Sequence, residues 1–166
     1  NSEALYMRGS VAGQGGFFFY ARCGIEVWTN GGRFFAGMHR STAVISPDPS
    51  THNNCCGFAV DAADNGAISF LARDASTSNK TATGLTITSG VGYDVYMFCA
   101  PNDPKIGWRI VDFNAGTEVS GTAPANLPVN PLTMSPGVPG RTRPATPAAS
   151  VAGWLDRTRL QPLVER

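Results

Sequence analysis

Charged side chains are scarce in this sequence: they make up 15% of its 166 residues, and the formal net charge is +1. In an average soluble domain about a quarter of the residues are charged. A surface this close to neutral has no general attraction for nucleic acid or for an anionic membrane, so we expect neither as a partner. The sequence also lacks any apolar run long enough to span a bilayer.

The motifs of common enzyme classes are missing as well. There is no phosphate loop of the GxxxxGK[ST] type, and neither of the two histidines lies in a nucleophile-elbow pattern. A retaining glycosidase requires two carboxyl groups about 5 to 5.5 Å apart, but Glu26 stands alone on its predicted strand and no E-x-D-x-x-E-like cluster occurs. We therefore expect a protein that is not an enzyme and that needs no cofactor.

Glycine (19) and proline (12), in contrast, are abundant, and the segments between them have the pattern of strands. From residue 19 to residue 28 the side chains alternate. Polar or aromatic groups lie on one side and apolar groups on the other: Tyr20, Arg22, Gly24, Glu26 and Trp28 against Phe19, Ala21, Cys23, Ile25 and Val27. That period of two indicates a half-buried strand. The Asn30-Gly31-Gly32 turn that follows predicts a hairpin with residues 33–38 as the partner strand.

Further strands are predicted over residues 41–45, 56–61, 67–74, 84–88, 93–100, 107–114, 117–122 and 150–160. The second and third of these form a hairpin, whereas residues 76–81 are typical of a polar loop. Residues 124–147 hold seven of the prolines and predict a long, loop-rich crossing. Many short strands without a helical period indicate a single antiparallel two-sheet sandwich or jelly roll over residues 1–166. The sequence does not begin with Met, so we expect a piece of a longer chain.

The four cysteines do not suggest a disulfide framework. Cys55 and Cys56 are adjacent and cannot comfortably bridge each other. Cys23 and Cys99 lie inside apolar strands, where a free cysteine behaves as a small hydrophobic residue. We expect all four thiols to be reduced and buried.

Several longer stretches resemble a domain of bacteriophage tail-fibre and other virion proteins. They are FFFYARCGIEVW with GGRFFAGM, NCCGFAVDAADNGAISFLARD, GYDVYMFCAPN, and IGWRIVDFNAGTEVSGT, together with the closing segment AGWLDR. The resemblance covers roughly residues 12 to 162. It implies a concanavalin A-like lectin fold, with two antiparallel sheets in a jelly roll.

The same resemblance implies a structural component of a phage virion, assembled in the bacterial cytoplasm. The expected role is a tail-fibre or spike domain that attaches to a host-surface glycan. The expected partners are further copies of the chain in a homotrimer and other virion proteins. A capsid-decorating or head-fibre protein is one alternative, and a glycan-active enzyme on the same scaffold is another.

The candidate glycan-binding residues lie in loops, or carry rings, that we expect to be exposed to solvent. Residues 47–54, 76–83 and 102–105 are polar loops, and they contribute His52, Asn54, Asn79 and Lys80. Trp28 and Trp108 are the candidate stacking platforms. Asp61, Asp64 and Asn65 form a weak calcium candidate, with an Asx-rich turn as the alternative. Phe35 and Phe98 are expected to lie in the core.

Overall fold

The computed structural model describes residues 15–40, 48–129 and 134–137, and the backbone of residues 152–162. The described residues form ten β-strands and two single-turn 3₁₀ helices, Pro49–Thr51 and Ala62–Asp64. The strands are β1 (Phe17–Val27), β2 (Phe34–His39), β3 (Cys55–Val60), β4 (Ala67–Arg73), β5 (Ser78–Thr86), β6 (Val91–Cys99), β7 (Ile106–Asp112), β8 (Glu118–Ala123), β9 (Ser135–Gly137) and β10 (Ala152–Pro162).

The strands form two five-stranded sheets in which every neighbouring pair is antiparallel. The first sheet has the order β10-β1-β6-β7-β8, and the second has the order β5-β4-β3-β2-β9. The predicted all-β, two-sheet sandwich is therefore confirmed. None of the described residues forms a helix long and apolar enough to cross a membrane.

The core lies between the two sheets and is rich in aromatic rings. Trp108 of β7, in the first sheet, stacks on Phe70 with 5.4 Å between ring centroids and meets Phe58 edge-on at 5.9 Å. Both phenylalanines belong to the second sheet, so this contact joins the sheets. Gly121 on β8 makes room for it, because a Cβ there would lie 2.5 Å from the indole ring.

The predicted hairpin between residues 19–28 and 33–38 is wrong, because β1 and β2 lie in different sheets. Both edges of β1 are already occupied, by β10 on one side and β6 on the other. The turn also lacks the geometry of a two-residue type I′ hairpin, which requires positive φ at both central residues. Gly31 has φ +80°, but Asn30 does not have a positive φ. The chain therefore crosses from one sheet to the other at this turn.

Other predicted elements are placed more closely. The second hairpin is confirmed: β3 pairs with β4, and Phe58 lies opposite Phe70. The strands predicted over 93–100, 107–114, 117–122 and 150–160 correspond to β6, β7, β8 and β10. The polar loop predicted over 76–81 is wrong, since β5 begins at Ser78 and pairs with β4. Within the predicted crossing, the short strand β9 pairs with β2. The strand predicted over 41–45 lies outside the described residues.

Residues 48–54 pack against part of the outer face of the second sheet, at Cys55 of β3. A small buried cluster lies on this face, made of Phe35, Cys55, Ala59 and Leu71. Pro49 is buried, and the Cys55 thiol donates to the backbone carbonyl of His52 at 3.1 Å. This part of the face is therefore shielded from solvent by the chain itself.

All four cysteines are free and buried, as the sequence predicted. Cys55 and Cys56 point to opposite sides of β3: Cys56 belongs to the main core, and Cys55 to the small cluster on the outer face of the second sheet. Burial raises the pKa of the Cys23 thiol to about 12, and burial likewise raises the pKa of Cys55 to about 12. Very little reactive thiolate is therefore present at neutral pH.

We expect a thiol reagent to modify four groups when the protein is denatured without reductant, because all four cysteines are free. In the native protein the same reagent should react only as fast as the fold opens, since burial removes both access and thiolate. With a reagent that releases a chromophore when it reacts with a thiol, absorbance measures both reactions. A titre of two or none in denaturant, or rapid reaction of the native protein, would contradict this description of the thiols.

Candidate functional site

The outer face of the first sheet carries a row of aromatic and charged side chains. The alternation of β1, β6 and β7 that fills the core sends the intervening residues to this side. We call this surface the aromatic strip, and it comprises Phe18, Tyr20, Arg22, Asp94, Tyr96, Phe98, Arg109 and Phe113. Two of its rings are open to solvent: Phe98 is 46% exposed and Phe113 is 58% exposed.

The strand register pairs aromatic with aromatic residues, and opposite charges with each other, on the aromatic strip. Between β1 and β6, Phe18 lies opposite Phe98, Tyr20 opposite Tyr96, and Arg22 opposite Asp94. Side chains directly opposite each other on one face of an antiparallel pair are in contact distance. The strip therefore has an aromatic end at Phe18 and Phe98 and a charged middle at Arg22 and Asp94.

The charged middle is a hydrogen-bonded pair. Arg22 donates from Nε and Nη2 to the two oxygens of Asp94, each at 2.7 Å, and Tyr20 donates its hydroxyl to Asp94 Oδ1 at 3.0 Å. Hydrogen bonding to Arg22 lowers the pKa of Asp94, and this outweighs the opposing effect of partial burial. Burial, followed by the hydrogen bond to Asp94, raises the pKa of Tyr20. Asp94 is thus ionised and Tyr20 is protonated at neutral pH.

Both arginines of the strip also lie on aromatic rings. The Arg22 guanidinium is 4.4 Å from the centroid of Phe113, and the Arg109 guanidinium is 4.3 Å from the centroid of Tyr96. Tyr96 in turn packs against Tyr20, with centroids 4.9 Å apart. Arg109 makes a long contact of 3.5 Å with Glu118, and this ion pair is exposed. Stacking on rings limits the movement of side chains that would otherwise be flexible.

A shallow recess of about 200 Å³ opens at the aromatic end of the strip. Phe18, Tyr96, Phe98 and Arg109 contribute to its walls, and Gly107 lies among them. A Cβ at Gly107 would meet only the backbone oxygen of Phe98, at 3.7 Å. The missing side chain of Gly107 therefore leaves space beside the exposed Phe98 ring.

Neither candidate tryptophan is the exposed stacking platform that the sequence predicted. Trp108 was expected to be exposed, but only 5% of it is exposed and it packs in the main core. Trp28 is half-buried and packs against the same core. Phe98 was expected in the core and is instead on the surface, because it lies on the outward side of β6. Phe35 is buried as expected.

The four polar candidates are not brought together in one site. His52 is half-buried in the segment that packs against the second sheet, and Asn79 lies on β5 opposite Ala72. Asn54 is buried with φ +56°, and its side-chain oxygen accepts from the backbone N–H of Val129 at 3.4 Å. Asn54 is therefore part of the framework, and the expectation that it is a free loop residue is wrong.

Lys80 occupies the candidate calcium site. Its ammonium group donates to Asp61 at 3.1 Å and also contacts Asp64. Asp61 further accepts from Ser50 N at 3.0 Å, and Asp64 accepts from Asp61 N at 2.7 Å. Burial acts to lower the pKa of Lys80, but the two carboxylates outweigh it and raise that pKa.

Asn65 ends the 3₁₀ helix in the left-handed conformation, as in an Asx-rich turn. Among the residues that the structure describes, no group of three His, Cys, Asp or Glu side chains is arranged to hold a metal ion.

Comparison with known proteins shows likeness in structure without likeness in sequence. No family model matches this sequence, and no curated protein matches it. The crystal structure of the enzymatically active domain of bacteriophage CBA120 tailspike protein 2 matches 94% of this chain and 23% of its own, with TM-score 0.52 and 19% identity. Full-length tailspike protein 2 from an Escherichia coli O157:H7 bacteriophage matches 94% and 20%, with TM-score 0.53 and 17% identity.

Peanut lectin is also similar in structure, with a TM-score of 0.55 at 10% identity, over 97% of this chain and 80% of the lectin chain. These likenesses establish the fold as the lectin-like jelly-roll sandwich that the sequence predicted. The chain spans about a fifth to a quarter of the length of the two tailspike chains, 20% and 23%.

The charged middle of the aromatic strip predicts a specific pH dependence. Because the folded pKa of Asp94 is lowered, the unfolded chain binds that proton more readily. The stabilisation is then complete above the unfolded pKa of about 3.9 and is lost as the pH falls through the lower folded pKa. We expect Asp94→Asn to reduce the free energy of unfolding by about 1 to 2 kcal/mol at pH 7, with the difference from wild type shrinking below about pH 4.

Denaturant unfolding across this pH range measures the effect. Glu118→Gln is the control, since its ion pair with Arg109 is exposed and of little energetic weight. If the free energies of unfolding of Asp94→Asn and wild type differ by the same amount down to the lowest pH, the pair of Arg22 and Asp94 does not stabilise the fold as described.

Proposed function

We propose that this chain is a non-enzymatic, lectin-like domain of a phage tailspike or tail-fibre protein, and that it attaches the virion to a host-surface glycan. The glycan binds on the aromatic strip. The tailspike likeness supports the setting by fold alone, and the aromatic strip supports the activity. Four free, buried thiols agree with assembly in a reducing bacterial cytoplasm.

The observation that carries the proposal is the exposed Phe98 ring beside the recess and next to Arg109. Sugars present apolar C–H faces that stack on aromatic rings, and they present hydroxyl groups that need a few fixed polar partners. The strip offers both kinds of group within one surface. Its polar groups are held in place by stacking and hydrogen bonds, so they would lose little conformational freedom on binding.

The carboxylates of this surface support binding rather than hydrolysis. Asp94 on β6 and Glu118 on β8 both lie opposite Val111, on the two sides of β7, so about 10 Å separates their backbones. The carboxyl groups of a retaining glycosidase are only about 5 to 5.5 Å apart. Glycoside hydrolysis requires a general acid with a raised pKa. The pKa of Asp94 is instead lowered by Arg22, which holds both of its oxygens.

Packing between copies of the chain is the second candidate for the aromatic strip. Large exposed rings such as Phe98 and Phe113 are common at subunit interfaces. The centres of such interfaces, however, are depleted in aspartate, although arginine is enriched there. The strip has Asp94 between the two rings, so a hydroxyl-rich ligand matches its pattern better.

We expect the purified protein to bind at least one glycan on an array of bacterial capsular polysaccharides and lipopolysaccharide O-chains. Phe98→Ala removes the stacking ring, and Gly107→Val fills the recess. Each should weaken binding by about tenfold or more, as for a central contact residue. Both variants should fold, because Phe98 is exposed and a side chain at Gly107 enters open space.

Val27→Ala is the matched control, since Val27 is 51% exposed on β1 but lies outside the strip. A blank array, or wild-type binding by both strip variants, would contradict the proposed function. Light scattering on the same proteins separates the second candidate: an assembly that dissociates on Phe98→Ala would identify the strip as a subunit interface.

A further inference from the structure

The two most exposed rings of the aromatic strip stand at its opposite ends. Phe98 is near the end of β6, whereas Phe113 follows β7 and donates its backbone N–H to Gly92, near the start of β6, at 2.9 Å. Residues 92 and 98 are six positions apart along β6, which corresponds to about 20 Å of extended strand. The rings are thus too far apart for one sugar unit to touch both.

Polar groups lie along the surface between the rings. Tyr96 with its stacked Arg109 comes first, followed by Asp94 with its bonded Arg22, whose guanidinium lies on Phe113. On β8, Ser120 and Thr122 are exposed and lie opposite Arg109 and Gly107. Hydrogen-bonding groups therefore accompany the whole path from one phenyl ring to the other.

We propose that the aromatic strip binds an internal stretch of an extended polysaccharide, laid along β6 from Phe98 to Phe113, and not a single terminal sugar. This inference rests on the proposed function and specifies its ligand. One sugar unit stacks at Phe98 beside the recess, another stacks at Phe113, and the units between them contact the polar groups. A chain that reaches both rings gains two stacking contacts on one rigid sheet.

The test uses the polysaccharide that binds most strongly on the array, partially hydrolysed and separated by length. Affinity should rise steeply once the fragments reach from one ring to the other. Phe113→Ala should weaken the binding of long fragments by about tenfold. It should leave the affinity for disaccharides unchanged. Phe98→Ala should weaken both long and short fragments. Val129→Ala is the control, because Val129 is exposed elsewhere on the surface. Calorimetry measures each affinity, and thermal melting checks that each variant is folded.

The outcomes separate the two proposals. If disaccharides bind as tightly as long fragments, or if Phe113→Ala has no effect at any length while Phe98→Ala does, the ligand is a short or terminal sugar. The extended-chain inference is then overturned and the proposed function stands. If wild-type protein binds no polysaccharide at all, both are overturned.

Discussion

The period of two along β1, β6 and β7 is the constraint on which the functional surface depends. Residues such as Phe19, Val95 and Trp108 fill the core, so their strand neighbours must face outward. A slip of one residue in any of these strands would exchange the two faces and expose the core. The residues of the aromatic strip are therefore fixed in position by the same packing that holds the sandwich together. Seven of the eight residues of the strip lie on strands, and Phe113 lies in the turn that follows β7.

Mutual contacts within the strip complete this arrangement. Asp94 accepts from both Arg22 and Tyr20, and Arg22 in turn lies on Phe113. Each polar group is thus held by a neighbour before any ligand arrives, which reduces the ordering that binding requires. On the outer side of the second sheet, residues 48–54 instead pack against Cys55, which is buried.

Local patterns in the sequence predicted the strands well and their partners less well. The alternation of residues 19–27 predicted β1, and the Asx-rich turn between β3 and β4 predicted their hairpin, since both signals lie within a few residues. The partners of β1 are β6 and β10, far along the chain, and no local signal predicts them. The aromatic strip was missed for this reason, although the polar side of β1 contained its first clue in Tyr20 and Arg22. Polar loop residues such as Asn54 were expected to be exposed and unconstrained. The sequence does not show that the backbone N–H of a distant residue, Val129, donates to the Asn54 side chain.

The most direct test of the account is to observe the rings while the ligand binds. The protein contains nine phenylalanines, and ring-labelled protein allows their NMR signals to be followed during titration with a bound polysaccharide. The account predicts that the signals of Phe98 and Phe113 shift with increasing ligand, whereas those of buried rings such as Phe19 and Phe70 remain in place. Signals of Phe98 and Phe113 that stay in place when the ligand saturates the protein would contradict it.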